Sequence, residues 1–378
     1  MGQTPAVLKH QSSSGYIQAE DTRRRDKRVR GRGALSNSAG RFEPHQRQNF
    51  DDGWNTVEEE EGRRRTEVHI DTTKTIIARN TSPDIPFDKS INAYRGCEHG
   101  CIYCFARPSH SFLGHSPGLD FEEQLYAKPN AADLLRAEIS APSYKVSPIA
   151  LGTNTDPYQP IEQRYKITRS ILEVLLEARH PVTIVTKSHS VTRDIDIIAK
   201  MAELDLIKVA LSVTTLDHKL ARLMEPRAST PARRLDAISD LAQAGVKTAV
   251  MFAPVIPALN DHELEWVLAA ASDAGAVEAN YITLRLPYEV KDLFHQWLRQ
   301  HYPDRAAKVM NILASMRGGK LNDPRFGNRM KGEGAYALML AKRFRLAAKR
   351  YGLQARSGPI NTSSFTPQST GPVQLSLL

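Results

Sequence analysis

Cysteine is nearly absent from this 378-residue chain: there are three, all within an eight-residue stretch, at Cys97, Cys101 and Cys104. An odd trio so closely spaced cannot staple a secreted scaffold, so a disulfide framework is excluded. Long apolar runs are missing too. The longest, Ala249 to Leu259, contains two prolines and falls well short of the roughly 18 residues a membrane span needs, so no membrane association is expected. The opening Met1-Gly-Gln-Thr-Pro has neither the apolar core nor the small-residue cleavage site of an export signal, which makes the cytoplasm the expected location. What is present, 25% charged and 41% hydrophobic residues, is a soluble globular composition. The length suits one large barrel or sheet domain with extensions.

The formal charge of +9 is unevenly placed. Residues 1–50 hold ten basic side chains against four acidic ones, which accounts for six of the nine. This stretch is rich in Ser, Gly, Gln and Arg without an apolar period, so residues 1–70 read as a basic, mostly disordered arm, with an acidic patch from Glu58 to Glu61. Such an arm can release counterions from phosphate backbones, which makes nucleic acid the expected partner; the bland alternative is a solubilising tail. Residues 354–378 read as a second, flexible tail. Its end, Gln374-Leu-Ser-Leu-Leu378, is similar to the pentapeptide that docks bacterial sliding clamps, with Leu378 where that motif prefers Phe.

Between the tails, short apolar runs alternate with helical ones. Strands are expected at Ser90–Tyr94, Ile149–Gly152, Val182–Thr186, Ile207–Val213, Thr248–Ile256 and Tyr281–Leu286. Helices are expected at Ala131–Ile139, Glu162–Ala178, Asp194–Glu203, Arg233–Ala244 and Glu263–Ala274, with Gly245 as a stop and Asp261 as a cap. Continuously apolar strands separated by helices predict an α/β fold with a parallel sheet, here a partial (β/α)6 TIM-like barrel over residues 71–290. A helical extension follows at 291–353, with helices at Asp304–Met316 and Gly334–Tyr351. These flank a glycine-rich loop that carries Lys320, Arg325, Phe326, Arg329 and Lys331, suited to a nucleic-acid strand or to capping the barrel's open side. Ligands of such barrels sit at the C-terminal ends of the strands.

The cysteines fall after the first expected strand, in Tyr94-Arg-Gly-Cys97-Glu-His-Gly-Cys101-Ile-Tyr-Cys104. Three thiolates on one loop hold a soft metal and leave one position of a tetrahedral or cubane site open. A zinc site completed by His99, His110 or His115 is the alternative at this point.

The motif resembles that of the radical S-adenosylmethionine (SAM) superfamily. Residues 88–275 are similar to its group related to spore photoproduct lyase. The similarity runs through Gly152-Thr-Asn-Thr-Asp-Pro-Tyr-Gln-Pro160, Thr186-Lys-Ser188, Ser212-Val-Thr-Thr-Leu-Asp217, Glu225-Pro-Arg227 and Pro254-Val-Ile-Pro257. The resemblance implies a 4Fe-4S cluster on Cys97, Cys101 and Cys104, whose fourth iron binds SAM and reduces its sulfonium. It also implies an electron donor such as flavodoxin or ferredoxin. Tyr103, Asn154, Thr155, Asp156, Lys187 and Ser212 become the residues expected around SAM. Arg227 and Arg285 become weaker candidates for anionic substrate, and His99 is expected to position the loop. No catalytic residue beyond these is assigned.

One departure stands out. The lyases carry an additional hydrogen-donor cysteine, and this chain has no fourth cysteine; Tyr158 and Tyr281 are the substitutes considered. The expected function is therefore a radical SAM enzyme acting on nucleic acid, in repair or modification. The alternative is a metal-binding nucleic-acid adaptor without turnover.

Overall fold

The computed structural model describes residues 31–43, 65–355 and 358–366. Its strands, in chain order, are β1 (Glu67–Ile70), β2 (Ile77–Arg79), β3 (Lys89–Ile91), β4 (Tyr94–Arg95), β5 (Gln124–Ala127), β6 (Ile149–Leu151), β7 (Val182–Thr186), β8 (Ile207–Ser212), β9 (Thr248–Val255) and β10 (Glu278–Thr283). One sheet runs in the order β10-β9-β8-β7-β6-β3-β2. Its pairs are parallel except for the β2 edge, which is antiparallel to β3. Six parallel strands in sequential order, linked by helices, make the partial (β/α)6 barrel expected from the alternation. Among the described residues, no helix is long and apolar enough to cross a membrane.

Burial along the strands alternates instead of running continuously. Val182, Ile184, Ile207, Val209, Leu211, Val250 and Phe252 are buried, in one cluster with Leu172, Ile198, Leu241 and Leu268 of the helices. Thr183, Val185, Lys208, Ala210 and Met251 on the opposite face are half-buried. Successive side chains of a strand point to opposite faces, so one face carries the helices and the other lines an interior left accessible to ligand.

Several expected elements shift, each for a local reason. The run 90–94 divides between two sheets: β3 stays in the barrel, whereas β4 pairs with β5 in a second sheet of order β1-β5-β4. The helix expected over 162–178 is two, Glu162–Tyr165 and Ile167–Glu177, parted by Lys166 at φ 52°. Glu162 turns its carboxylate to the Thr168 amide, at 3.0 and 3.1 Å, capping the second helix. Asp261 opens a 3-10 turn instead of capping through its side chain, and its carboxylate takes the Tyr336 hydroxyl. The last strand begins three residues earlier than expected.

The extension contributes helices Val290–His301, Pro303–Ser315 and Gly334–Arg350. Its glycine-rich loop spans the open sheet: the Met330 carbonyl accepts from the Thr283 amide at the end of β10 (2.9 Å), and Arg329 pairs with Asp84 between β2 and β3. That placement favours capping of the barrel's open side.

Both tails need correction. Residues 31–43, placed in the disordered arm, pack into the molecule: Arg32 and Ala34 are buried, and Arg32 pairs with Glu123 at 3.2 Å. β1 also begins before residue 71. Residues 358–366, placed in the flexible tail, lie along the barrel, with Phe365 against Tyr144 and His180. Specific contacts by a few side chains offset the ordering entropy that composition alone makes too costly. The clamp-like Gln374–Leu378 lies outside the described residues.

Candidate active site

The loop 96–104 turns tightly enough to place three thiols on one short arc. Gly96 and Gly100 adopt φ 73° and 65°, a region that side chains rarely enter. A Cβ at Gly96 would meet Leu125 at 2.6 Å, and one at Gly100 would meet Glu122 at 2.6 Å. Backbone bonds hold the arc on both sides, Cys97 N–H to the Phe121 carbonyl (2.9 Å) and Ile102 N–H to the Met224 carbonyl (3.0 Å). Gln159 clasps it from the β6 end, donating to the Gly96 carbonyl and accepting from the Glu98 amide.

Arg107, which sequence reasoning missed, is the staple behind the loop. Fully buried, it donates to the carbonyls of Cys101 (2.9 Å), Gly100 (3.2 Å), Pro117 (3.1 Å) and Gly118 (2.8 Å), and to the Glu122 carboxylate. These contacts use all five of its N–H donors. Glu122 in turn accepts the amides of Gly33 and Ala34, both at 2.9 Å. The N-terminal segment is thereby tied to the back of the cysteine loop. Gly33 passes so close that a Cβ there would lie 1.8 Å from the Gly100 carbonyl oxygen.

On the other side the cysteines are held without such partners. Cys97 and Cys101 are buried and Cys104 is half-buried. Burial pushes the Cys101 thiol up to about 12, against the opposing pull of Lys187. It pushes Cys97 up as well, although the Asp156 amide favours the thiolate. A metal that replaces the thiol protons removes this penalty.

Each histidine that a zinc site would need has one ring nitrogen engaged, while the second nitrogen of His110, Nδ1, is buried without a partner. His99 Nδ1 faces Asp156 at 3.3 Å, His110 Nε2 meets the Gln124 carbonyl at 2.8 Å, and His115 Nε2 meets the Tyr126 hydroxyl at 2.7 Å. Among the described residues, no three His, Cys, Asp or Glu side chains are grouped as ligands of a single ion. A cubane takes each thiolate on a different iron and does not require that grouping. The donor set, three soft and otherwise uncommitted sulfurs on one loop, fits a 4Fe-4S cluster.

The other expected residues separate into two groups. Tyr103, Lys187 and Ser212 converge. The Tyr103 hydroxyl donates to Glu225, which also takes the Thr214 hydroxyl (2.7 Å) and pairs with buried Arg234; Arg234 holds the Ser212 carbonyl at 2.8 Å. Burial opposes the Glu225 charge, but Arg234 and Lys187 outweigh it and keep its carboxyl below the ordinary range. The Lys187 ammonium lies 5.8 Å from the centre of the Tyr103 ring.

Asn154, Thr155 and Asp156 are committed to structure instead. The amides of Asn154 and Thr155 donate to the Asn92 side chain at 3.0 and 3.3 Å, and the Thr155 hydroxyl donates to the Tyr94 carbonyl. Asn154 lines a separate cleft with Asn92, Ser109 and Lys128. The half-buried Asp156 accepts from Thr186 (2.7 Å), Lys187 N–H (2.8 Å), Tyr158 N–H (2.9 Å) and His99. Burial alone would raise its carboxyl, yet these partners hold it near 2. Arg227 is also taken, by Glu98 at 2.8 Å, whereas Arg285 lies just past β10.

The two tyrosines named as hydrogen donors sit in different surroundings, Tyr158 lining a cleft with His99 and Ser188. Tyr281 packs at a tilt against Phe344 of the last helix, with ring centres 4.7 Å apart, and Tyr158 is buried beneath Arg193.

Comparison with known proteins places this geometry in context. The family model described as Radical SAM superfamily matches residues 91–271. An uncharacterized protein of Mycobacterium tuberculosis is 38% identical over 230 residues, covering 60% of this chain and 68% of that protein. Another, from Methanocaldococcus jannaschii, is 28% identical over 228 residues, 60% of this chain and 81% of its own. In three dimensions the fold is similar to spore photoproduct lyase complexed with dinucleoside spore photoproduct. The TM-score is 0.53 and the identity 16%, over 76% of this chain and 80% of that one.

Proposed function

This chain belongs to the radical SAM superfamily, and from that membership we propose that it is an enzyme whose radical chemistry is directed at nucleic acid. Its cofactors are a 4Fe-4S cluster and SAM. When bound, they supply one-electron cleavage of the sulfonium to methionine and a 5'-deoxyadenosyl radical, with a flavodoxin- or ferredoxin-type protein as the electron source. Cys97, Cys101 and Cys104 hold the cluster in this reading. The Lys187 ammonium, with no hydrogen bond or ion pair among the described residues, offers a cation to the SAM carboxylate. Tyr103 and Ser212 shape the same wall, fixed from behind by the Glu225–Arg234 pair.

One surface feature carries the choice of nucleic acid. Phe112, in the turn just after the cysteine loop, Tyr288, just after β10, and Phe42 are each more than half exposed. They gather around one guanidinium: Arg41 lies 3.7 Å from the Tyr288 ring centre, 5.0 Å from Phe42 and 5.8 Å from Phe112. Water-exposed rings interleaved with arginine are a stacking surface for unpaired bases, each stacked base contributing about 1–3 kcal/mol. The basic N-terminal arm and the lyase fold's dinucleoside ligand support the same reading.

Anaerobic reconstitution tests the cofactor part. About four irons per chain and dithionite-dependent 5'-deoxyadenosine are expected, both lost in Cys101→Ala. For the substrate, deuterium should pass from a labelled single-stranded oligonucleotide into 5'-deoxyadenosine. Phe112→Ala or Tyr288→Ala should weaken oligonucleotide binding by roughly fivefold or more. Full binding by both variants would sink the nucleic-acid reading.

A further inference from the structure

Arg285 sits two residues beyond the end of β10, on the cysteine side of the barrel: its guanidinium lies 5.4 Å from the ring centre of Phe105, the residue after Cys104. It has no acid of its own. Nη1 meets only the Met330 thioether at 3.7 Å, Nε is buried without an acceptor, and among the described residues no carboxylate lies within ion-pair distance.

The neighbouring charges make its position less favourable. Arg317 is buried behind it and donates to the Leu284 carbonyl (2.6 Å), the Arg329 carbonyl (3.1 Å) and the Thr283 hydroxyl (3.3 Å), none of them an anion; its Nε is also unpaired. Arg329 is matched by Asp84, the nearby acid that acts on Arg285. Arg329 has Asp84 as its partner and Arg317 lies in the field of the buried Asp323, which leaves Arg285 as the guanidinium of this group without a carboxylate within ion-pair distance among the described residues. Burial, reinforced by Arg329 and Arg317, draws the Arg285 pKa down to about 10. A buried cation without a counterion is costly, and a structure that needed Arg285 only for packing would be more stable with a neutral side chain there.

We infer that Arg285 anchors a subsite for a phosphate group of the substrate, at the rim of the barrel beside Phe105 and Cys104. A guanidinium fork binds phosphate through two parallel hydrogen bonds, and the phosphate's negative charge supplies the counterion that Arg285 lacks. The Arg317 bonds to Leu284 and Thr283 fix the backbone that presents Arg285. Arg317 and Arg329 add field without needing to touch the ligand. The subsite deepens the proposed function: it rests on that reading for the owner of the phosphate, but not for the phosphate itself.

Inorganic phosphate is the probe, added to the full-length reconstituted protein at constant ionic strength made up with chloride. The unfolding midpoint is read at a fixed scan rate. Phosphate should raise the midpoint saturably. Arg285→Gln should match or exceed the parent in chloride, since one uncompensated cation is gone, and should bind phosphate roughly tenfold or more weakly. Arg285→Lys, a point charge without the fork, should keep a reduced response. An equal phosphate response in parent and Arg285→Gln would overturn the subsite. So would a variant destabilised equally in chloride and phosphate, because the guanidinium would then only brace Phe105. Acetate acting as strongly as phosphate would mark a carboxylate site and overturn the assignment to phosphate. If phosphate binding depends on Arg285 while an oligonucleotide binds parent and Arg285→Gln equally, the subsite stands and its link to nucleic acid falls.

Discussion

Residues 31–43 and 358–366 come from opposite ends of the chain and share a polar, serine- and glycine-containing composition, but they are held in different ways and at opposite ends of the barrel. The first is joined to the cysteine loop, where the strands end: two of its amides bond the Glu122 carboxylate that also pairs with Arg107, and Gly33 lies against Gly100. The second lies where the strands begin. The Asn361 amide bonds the Asp205 carbonyl just before β8, the Thr366 amide bonds the Ala178 carbonyl before β7, and Phe365 covers Tyr144 and His180. In barrels of this kind the first end carries chemistry and the second stability. Damage to the two segments should therefore differ in kind: one should cost the cluster, the other only free energy.

The largest effect is expected at Glu122. Glu122→Ala leaves Arg107 buried beside carbonyls with no counter-charge, and breaking a buried pair in this way costs about 3–5 kcal/mol. Urea unfolding should show that loss, and iron content after reconstitution should fall with it. A variant that folds with a normal midpoint and full iron would break the link between segment and site. Gly33→Ala comes next. Its new methyl cannot fit against the Gly100 carbonyl, so the segment or the loop must move, at about 1–3 kcal/mol for an overpacked contact. The expected signature is lower iron content and faster proteolysis within residues 31–43, with far-UV circular dichroism unchanged.

Much of this was legible beforehand and some was not, for physical reasons. The six parallel strands are local patterns and appear in the expected order, with shifts only at the first and the last. Lys187 and Ser212 stood out as candidates because each closes an apolar run. Arg107 could not be, since its partners are backbone carbonyls brought together by the fold, and a lone arginine in a polar stretch carries no periodic signal. The ordering of residues 31–43 was hidden for the same reason. Composition reports the entropy cost of ordering a segment, but not a carboxylate 88 and 89 residues from the two amides it receives. Asp156 shows what such a pattern leaves out: a polar residue at a strand's end reads as a ligand-binding group, and the fold adds that its oxygens accept from the neighbouring turns.

Phe365→Ala tests the other end of the barrel. The ring is half-buried over Tyr144 and His180, so its removal should cost about 1–2 kcal/mol and leave iron content and SAM cleavage at parental levels. Loss of iron in this variant would show that the two ends are not separable.

The smallest expected effect is a pH dependence that belongs to the same contact. His180 is held neutral: Nδ1 donates to the Pro181 carbonyl at 2.9 Å, and Nε2 accepts from the Tyr144 hydroxyl at 2.7 Å. Burial is the main reason its pKa falls from the ordinary 6.5 to about 4, with Lys89 adding to the effect. The sign follows from which state takes the proton. Below pH 6.5 the unfolded chain protonates this histidine and the folded chain does not, so stability declines as pH falls toward 4; above 6.5 the residue contributes no slope. At pH 6 the loss is under about 1 kcal/mol. Denaturation midpoints measured from pH 7 to 5 should fall less steeply in His180→Gln than in the parent. His110, also lowered to about 4 chiefly by burial, sits at the cysteine end and should supply part of the slope that remains. Identical slopes in the two proteins would mean that His180 is accessible to protons in the folded state, and that the C-terminal segment does not seal the end of the barrel it covers.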